Sequence, residues 1–191
     1  MTFARLFKPF LKDENGSPSV ELALAALPLV MMVVGTMEFG MIMFTSTLME
    51  SGLRDAARFG ITGEVPDAQS RLERIIDIIG ERTLGLVDME EAEIQVLVYD
   101  SFGDVGRGED FVDGNANGAY DAGETYTDEN ANGQWDADVG AAGAGGSGEI
   151  VVYRMNYAWP LLTPLVGHVI GNEGGFALRA AVAVRNEPWE T

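Results

Sequence analysis

Residues 16–44 read GSPSVELALAALPLVMMVVGTMEFGMIMF, and this stretch decides the architecture. No charged residue occurs from Leu22 to Met37, and Glu38 alone interrupts an apolar run that resumes and continues to Phe44. As a helix, residues 22–44 span roughly 34 Å at about 1.5 Å per residue. That is enough to cross a bilayer core of about 30 Å. The run is apolar on every side, whereas the helix of a soluble domain carries a single apolar stripe. Arg5, Lys8 and Lys12 precede it, so the positive-inside rule puts residues 1–16 in the cytoplasm and the remainder outside. A cleaved secretory signal has a shorter apolar run followed by small residues at the cut site. Neither feature is present here. The expectation is a retained single-pass helix over residues 17–46 in the cytoplasmic membrane, with a periplasmic or extracellular domain over residues 47–191.

The composition agrees with this segregation. The 191 residues include 30 acids and 12 bases, for a formal charge of −18, yet the mean hydropathy is slightly positive. Charge and apolarity therefore occupy different parts of the chain. There is no cysteine and one histidine. This excludes a disulfide scaffold, a thiol nucleophile and cysteine-based zinc sites. The acidity argues against a nucleic-acid partner, because phosphate contacts need basic patches.

At the head of the apolar run, Gly16 is followed after four residues by Glu21. An acid at the end of a membrane helix is costly unless it is paired, although the helix dipole favours it at an N-terminus. The junction resembles that of type IV prepilins. That resemblance implies cleavage after Gly16 by a prepilin peptidase, with Ser17 as the first mature residue. Glu21 would then meet the free amine of a neighbouring subunit.

A wider resemblance covers about 48 residues, from Gly16 to Gly63. It includes Val20-Glu21-Leu22-Ala23-Leu24, Pro28 inside the apolar helix, Glu38-Phe39-Gly40, Ala56-Ala57-Arg58 and Thr62-Gly63. This pattern is similar to the N-terminal segment of the TadE-like family, pseudopilins of the bacterial tight-adherence (Tad/Flp) pilus system. The closing ALRAAVAVRNEPW also resembles the family's last strand and its R-N-E-P ending. The chain departs from the pattern at Leu22, where phenylalanine is usual, and at Asp13-Glu14-Asn15, where arginine is common. The resemblance implies a non-enzymatic minor pseudopilin acting in pilus assembly. Its partners would be other pilins or pseudopilins, the assembly platform, prepilin peptidase and membrane lipid. Glu38 would contact another subunit or the platform, or else sit hydrated at the outer interface. Pro28 would kink the helix or free a carbonyl.

Beyond the membrane the sequence predicts an α+β domain. The first helix continues through residues 45–60 and stops at Gly60 and Gly63. A second starts at Pro66-Asp67, with Leu72, Ile75, Ile76 and Ile79 as its core stripe and Arg71, Glu73, Arg74 and Asp77 opposite. Three strands are expected at Ile94–Tyr99, Ile150–Tyr157 and Phe176–Val184, forming a mostly antiparallel sheet. Trp159 to Leu165 forms an apolar connection, placed either on the membrane surface or under the sheet. His168 has no catalytic partner nearby and is expected to be structural.

The acidic excess is concentrated in an insertion over residues 109–140. DGNANGAYDAGE, from Asp113, recurs fifteen residues later as DENANGQWDADV, with seven identical positions. Its spacing is that of a twelve-residue calcium loop, which gathers six to eight hard oxygens. Asp113, Asn115, Asn117, Ala119 through its carbonyl, Asp121 and Glu124 fill positions 1, 3, 5, 7, 9 and 12, with Gly118 at the turn. The second copy offers Asp128, Asn130, Asn132, Gln134 through its carbonyl and Asp136, with Gly133 at the turn. Val139 stands at position 12, so Asp138 is the candidate substitute and this second calcium site is the weaker one. Tyr120 and Trp135 at position 8 are expected to pack the loops together. Only Thr125-Tyr126-Thr127 separates the copies, too few residues for a helix–loop–helix pair. The glycine-rich runs on either side read as flexible joints. A second reading follows from the same features: an uncleaved, membrane-anchored, calcium-dependent adhesion or binding module. An anchored hydrolase is the weakest, since no G-x-S-x-G or H-E-x-x-H occurs.

Overall fold

The computed structural model describes residues 17–64, 70–163, 167 and 175–189. Gly16 with the rest of the expected leader, the Pro66-Asp67 helix start and His168 lie outside these residues. Helix α1, Ser17–Gly60, is a single 44-residue helix, continuous through Pro28. At about 1.5 Å per residue it is roughly 66 Å long. It passes through two environments. From Pro18 to Met37 its side chains are exposed, apart from half-buried Ala26, Val34 and Gly35. From Glu38 onward one face is buried, through Glu38, Ile42, Thr45, Met49, Leu53 and Ala56. These residues recur every three or four positions, the spacing that keeps side chains on one side of a helix. The helix is long and apolar enough to cross a membrane, and none of its most apolar window is buried. The domain's packing thus begins at Glu38, well before residue 47.

Helix α2, Arg71–Arg82, lies against the lower part of α1. Its start is fixed by Ser70. The Ser70 Oγ accepts from Glu73 N (3.2 Å), and the Ser70 N donates to the Glu73 carboxylate (2.6 Å). This reciprocal capping box sets the start of α2 at Arg71. Gly52 lets the two helices approach: a Cβ there would stand 3.3 Å from the Ile79 carbonyl oxygen. Arg82 reaches across to Asp55 (2.7 Å). The expected core stripe of α2 is split. Ile75 and Ile79 are fully buried, while Leu72 and Ile76 are more than one-third exposed, because α1 covers only one edge of the stripe.

The sheet has four antiparallel strands in the order β2-β1-β3-β4: β1 (Glu93–Tyr99), β2 (Ala141–Ala142), β3 (Ile150–Trp159) and β4 (Phe176–Arg185). The three expected strands are present with ends shifted by one or two residues. Central β3 is buried on both faces. Val151, Tyr153, Met155, Tyr157 and Trp159 alternate inward and join Val96, Leu178 and Ala180 under the helices. On the opposite face Ile150 and Val152 pack with Tyr99, Leu97, Val105 and Val139 in a second, smaller cluster. Val105 and Val139 flank the acidic insertion, so this cluster seats the insertion on the back of the sheet.

The glycine-rich run after the insertion is held in place, unlike the flexible joint expected there. Ala141–Ala142 pairs with Leu97 and Val98 as β2, and Gly143 N donates to the Val96 carbonyl (2.9 Å). The chain end closes on the same run. Buried Asn186 donates through Nδ2 to the carbonyls of Ala144 (3.1 Å) and Gly146 (2.9 Å). Glu187 N donates to the Ile61 carbonyl (3.1 Å), and the Trp189 ring lies over Arg71 at 5.4 Å. Gly63 adopts a φ of +69°, and a Cβ there would fall 2.5 Å from the Trp189 ring. The T-G exit of α1 and the R-N-E-P ending are therefore two sides of one contact.

Candidate functional site

The insertion is closed at its neck by backbone pairing. Val139 N donates to the Arg107 carbonyl and Glu109 N to the Asp136 carbonyl, both at 2.9 Å. Asp138 anchors the neck to the sheet, accepting from Arg154 (2.5 Å) and from the Tyr99 hydroxyl (2.8 Å). Burial opposes ionisation of Asp138, but the hydrogen bonds from Arg154 and Tyr99 prevail and hold its carboxyl below the usual range. The same contact leaves the Tyr99 phenol, already raised by burial, at about 12. Asp138 is thus occupied with the sheet and does not turn into the second loop, where the sequence suggested it.

Within the insertion the sequence repeat becomes a conformational repeat. Ala116 and Ala131 have φ of +59° and +58°, and Gly118 and Gly133 have +77° and +79°. Two left-handed residues two apart wind each loop tightly, and glycine adopts that conformation without a Cβ penalty. Asp113 accepts from Asn117 N (3.2 Å) and Gly118 N (2.8 Å), and Asp128 accepts from Asn132 N (3.1 Å) and Gly133 N (2.9 Å). These backbone donors, led by Gly118, hold the Asp113 carboxyl below its ordinary value. Asn115 and Asn117 converge on the Asp121 carboxylate at 2.6 and 2.8 Å, and Asn130 and Asn132 on Asp136 at 2.7 and 2.5 Å. Glu124 returns to its own loop, accepting from Gly114 N (2.8 Å) and Asp121 N (3.0 Å). Ala119 and Gln134 follow through their amides, bonded to the Asn117 and Asn132 oxygens, each at 2.7 Å. Among the described residues, no group of three or more His, Asp or Glu side chains is placed to hold a metal ion. In each loop the acids are interleaved with asparagines.

The loops are packed face to face. Tyr120 and Trp135 stack at 4.5 Å and 14°, and Phe111 meets both edge-on at 5.8 and 6.0 Å. Phe111 also bridges to Tyr126, with Val112 N donating to the Thr125 carbonyl and Thr127 N to the Asp110 carbonyl (2.8 Å each). Arg107 forks onto Glu129 at 2.8 and 2.6 Å and bonds Asp104 at 3.0 Å. That bidentate contact holds the Glu129 carboxyl below its usual range. Arg107, Tyr99 and Arg154 lie outside the repeat; Glu109 and Phe111 precede its first copy, but the fifteen-residue spacing pairs them with Glu124 and Tyr126.

On α1 the acid within the apolar run has its partners within the chain. Glu38 is 1% exposed, and its two oxygens accept from Leu162 N (2.5 Å) and the Thr163 hydroxyl (2.6 Å). The start of the apolar connection, 160–163, is therefore strapped to α1, and Leu162 itself is 67% exposed beside the strap. Neither another subunit nor hydration is needed to satisfy Glu38. On the far side of α1, Phe39, Met43 and Phe44 are exposed. Glu21 is exposed on the first turns of the helix, and the described helix opens at Ser17. Removing the carboxylate leaves a part-buried amide and hydroxyl without their acceptor, at a cost of about 1 kcal/mol or somewhat more. Glu38→Ala is therefore expected to lower the unfolding temperature of the full chain in detergent and to speed hydrogen exchange at Leu162. Glu38→Gln, which keeps an acceptor, is expected to lose less. Equal exchange at Leu162 in all three proteins would contradict the strap.

No curated protein and no solved structure matches the chain significantly. Residues 16–58 match the family model described as TadE-like protein. The match runs from the glycine before α1, through its exposed apolar half and the Glu38 strap, into the half that forms the domain core. The matched segment, similar to the TadE-like family, thus contains both the candidate membrane anchor and the helical side of the domain core.

Proposed function

We propose that the protein is a minor pseudopilin of a Tad-type pilus, or of the secretion machine that extrudes it. It is anchored in the cytoplasmic membrane by α1, with its domain outside. The observation that carries this reading is the coincidence of the TadE-like match with a helix whose apolar half is exposed and whose other half is domain core. In this reading the protein performs no catalysis. Prepilin peptidase cuts after Gly16, freeing Ser17 and leaving Glu21 near the new N-terminus to pair with the amine of a neighbouring helix. The exposed Phe39, Met43 and Phe44 face lipid before assembly and the helices of other pilins or the assembly platform afterwards. Mass spectrometry of the membrane-bound protein from cells with an intact pilus system tests the route. An N-terminus at Ser17 is expected, and an intact Met1 rejects it.

Each loop of the insertion is read as a calcium site. The wound backbone, the convergence of Asp113, Asn115, Asn117 and Asp121, and the return of Glu124 support this for the first loop. The asparagine amides now donate to Asp121; rotated by half a turn, they present oxygen instead. Calcium would supply positive charge to a segment with nine acids between Glu109 and Asp138 and no base. It would stiffen the insertion outside the cell. The paired loops also favour the second reading, an uncleaved anchored module that binds a surface through calcium. Calorimetric titration of the full chain in detergent is expected to show calcium binding that disappears in Asp113→Ala/Asp128→Ala. Absence of binding by the unaltered chain rejects the metal reading.

A further inference from the structure

The second loop has valine at position 12, and its acid comes from elsewhere in the chain. In the first loop the Glu124 carboxylate accepts from the amides of positions 2 and 9, Gly114 N (2.8 Å) and Asp121 N (3.0 Å). In the second loop the amides of positions 2 and 9 are Glu129 N and Asp136 N. Both donate to a single carboxylate, that of Glu109, at 2.8 and 3.1 Å. Glu109 precedes the first loop by four residues, yet it stands to the second loop as Glu124 stands to the first. It is held there by its own backbone. Its N–H donates to the Asp136 carbonyl, and its carbonyl accepts the Trp135 indole N–H at 3.0 Å. The residues that sequence order offers are committed differently. Val139 packs in the cluster behind the sheet, and Asp138 is bound to Arg154 and Tyr99.

The electrostatics point the same way. Glu109 is 2% exposed. Among the described residues it makes no ion pair, and the nearest base in sequence, Arg107, is spent on Asp104 and Glu129. A buried carboxylate with only neutral donors is expensive, and it calls for a counter-charge. Its donors are backbone amides, so among the described residues none supplies it. A divalent cation at the centre of the second loop would.

We propose that Glu109 is the bidentate acid of the second calcium site, so that this loop is closed by a residue from before the first loop. The proposal rests on the calcium reading of the insertion. It makes the two sites equivalent in ligand chemistry, where sequence order made the second deficient.

Calcium titration of the full chain in detergent micelles separates the two ideas. The unaltered chain is expected to bind two ions. Glu109→Gln and Glu124→Gln are each expected to bind one, the double variant none, and Asp138→Asn still two. The remaining site in Glu109→Gln, titrating as in the unaltered chain, reports that the module is folded. Glu109→Asp keeps the charge but is one methylene too short for a bidentate grip, so it too is expected to lose the second ion. If Glu109→Gln binds two ions as the unaltered chain does, or if Asp138→Asn loses one, Glu109 is not the ligand although the calcium reading stands. If the unaltered chain binds a single ion and Glu109→Gln does not change it, the result is the same. If the unaltered chain binds none, both ideas fall.

Discussion

The buried carboxylate of Glu38 is the point on which the architecture turns. Above it the side chains of α1 are mostly exposed among the described residues; below it the same helix is the spine of a domain. Glu38 is bonded to Leu162 and Thr163, which follow the end of β3 closely. The strap thus ties the end of the central strand to the level of the helix where burial starts. A carboxylate is tolerated in this buried position because two donors reach it, and leaving those donors unmet would be costly in its own right. A single 44-residue helix can then serve two solvents without a hinge between them.

The insertion is joined to this frame through the opposite face of the sheet. Its neck is cemented by Val105 and Val139 against Tyr99, Ile150 and Val152, and by the Tyr99–Asp138–Arg154 contact. Arg107 braces its second loop, and the Phe111–Tyr120–Trp135 stack braces the two loops against each other. The acidic segment is therefore an ordered appendage with its own small aromatic core. The helices and the acidic insertion thus pack on the two faces of the sheet through separate clusters.

Much of this was legible in the residues, because the signals are local. The uncharged run gave α1, alternation gave the three long strands, and the repeat gave two loops of matching conformation with aromatics at position 8. What was not legible depends on partners far along the chain. Nothing near Glu38 announces that its donors lie 124 residues away. Within DENANGQWDADV nothing points back twenty residues to Glu109, and only the longer repeat, in which Glu109 stands fifteen residues before Glu124, carries a signal for it. Two-residue β2 is too short to carry a period, and a glycine-rich run reads as slack until the Val96 carbonyl and Asn186 are seen to hold it. The start of α2 at Arg71 rests on the reciprocal Ser70–Glu73 bonds, which the apolar period does not mark. Exposure of Leu72 and Ile76 follows from how little of α2 is covered by α1, which periodicity alone does not specify.

The proposal that unites these observations is that α1 changes surroundings at Glu38, with lipid on one side and the outside of the cell on the other. The chain contains no cysteine, so single cysteines introduced along α1 and the strap report on their surroundings without background. Intact spheroplasts expressing the variants would be treated with a membrane-impermeant maleimide. Leu29→Cys and Met32→Cys are predicted to stay unlabelled until detergent is added, while Thr47→Cys and Leu162→Cys label from outside. Labelling of the Leu29 or Met32 variants in intact spheroplasts, or protection of the Thr47 and Leu162 variants, would contradict the account.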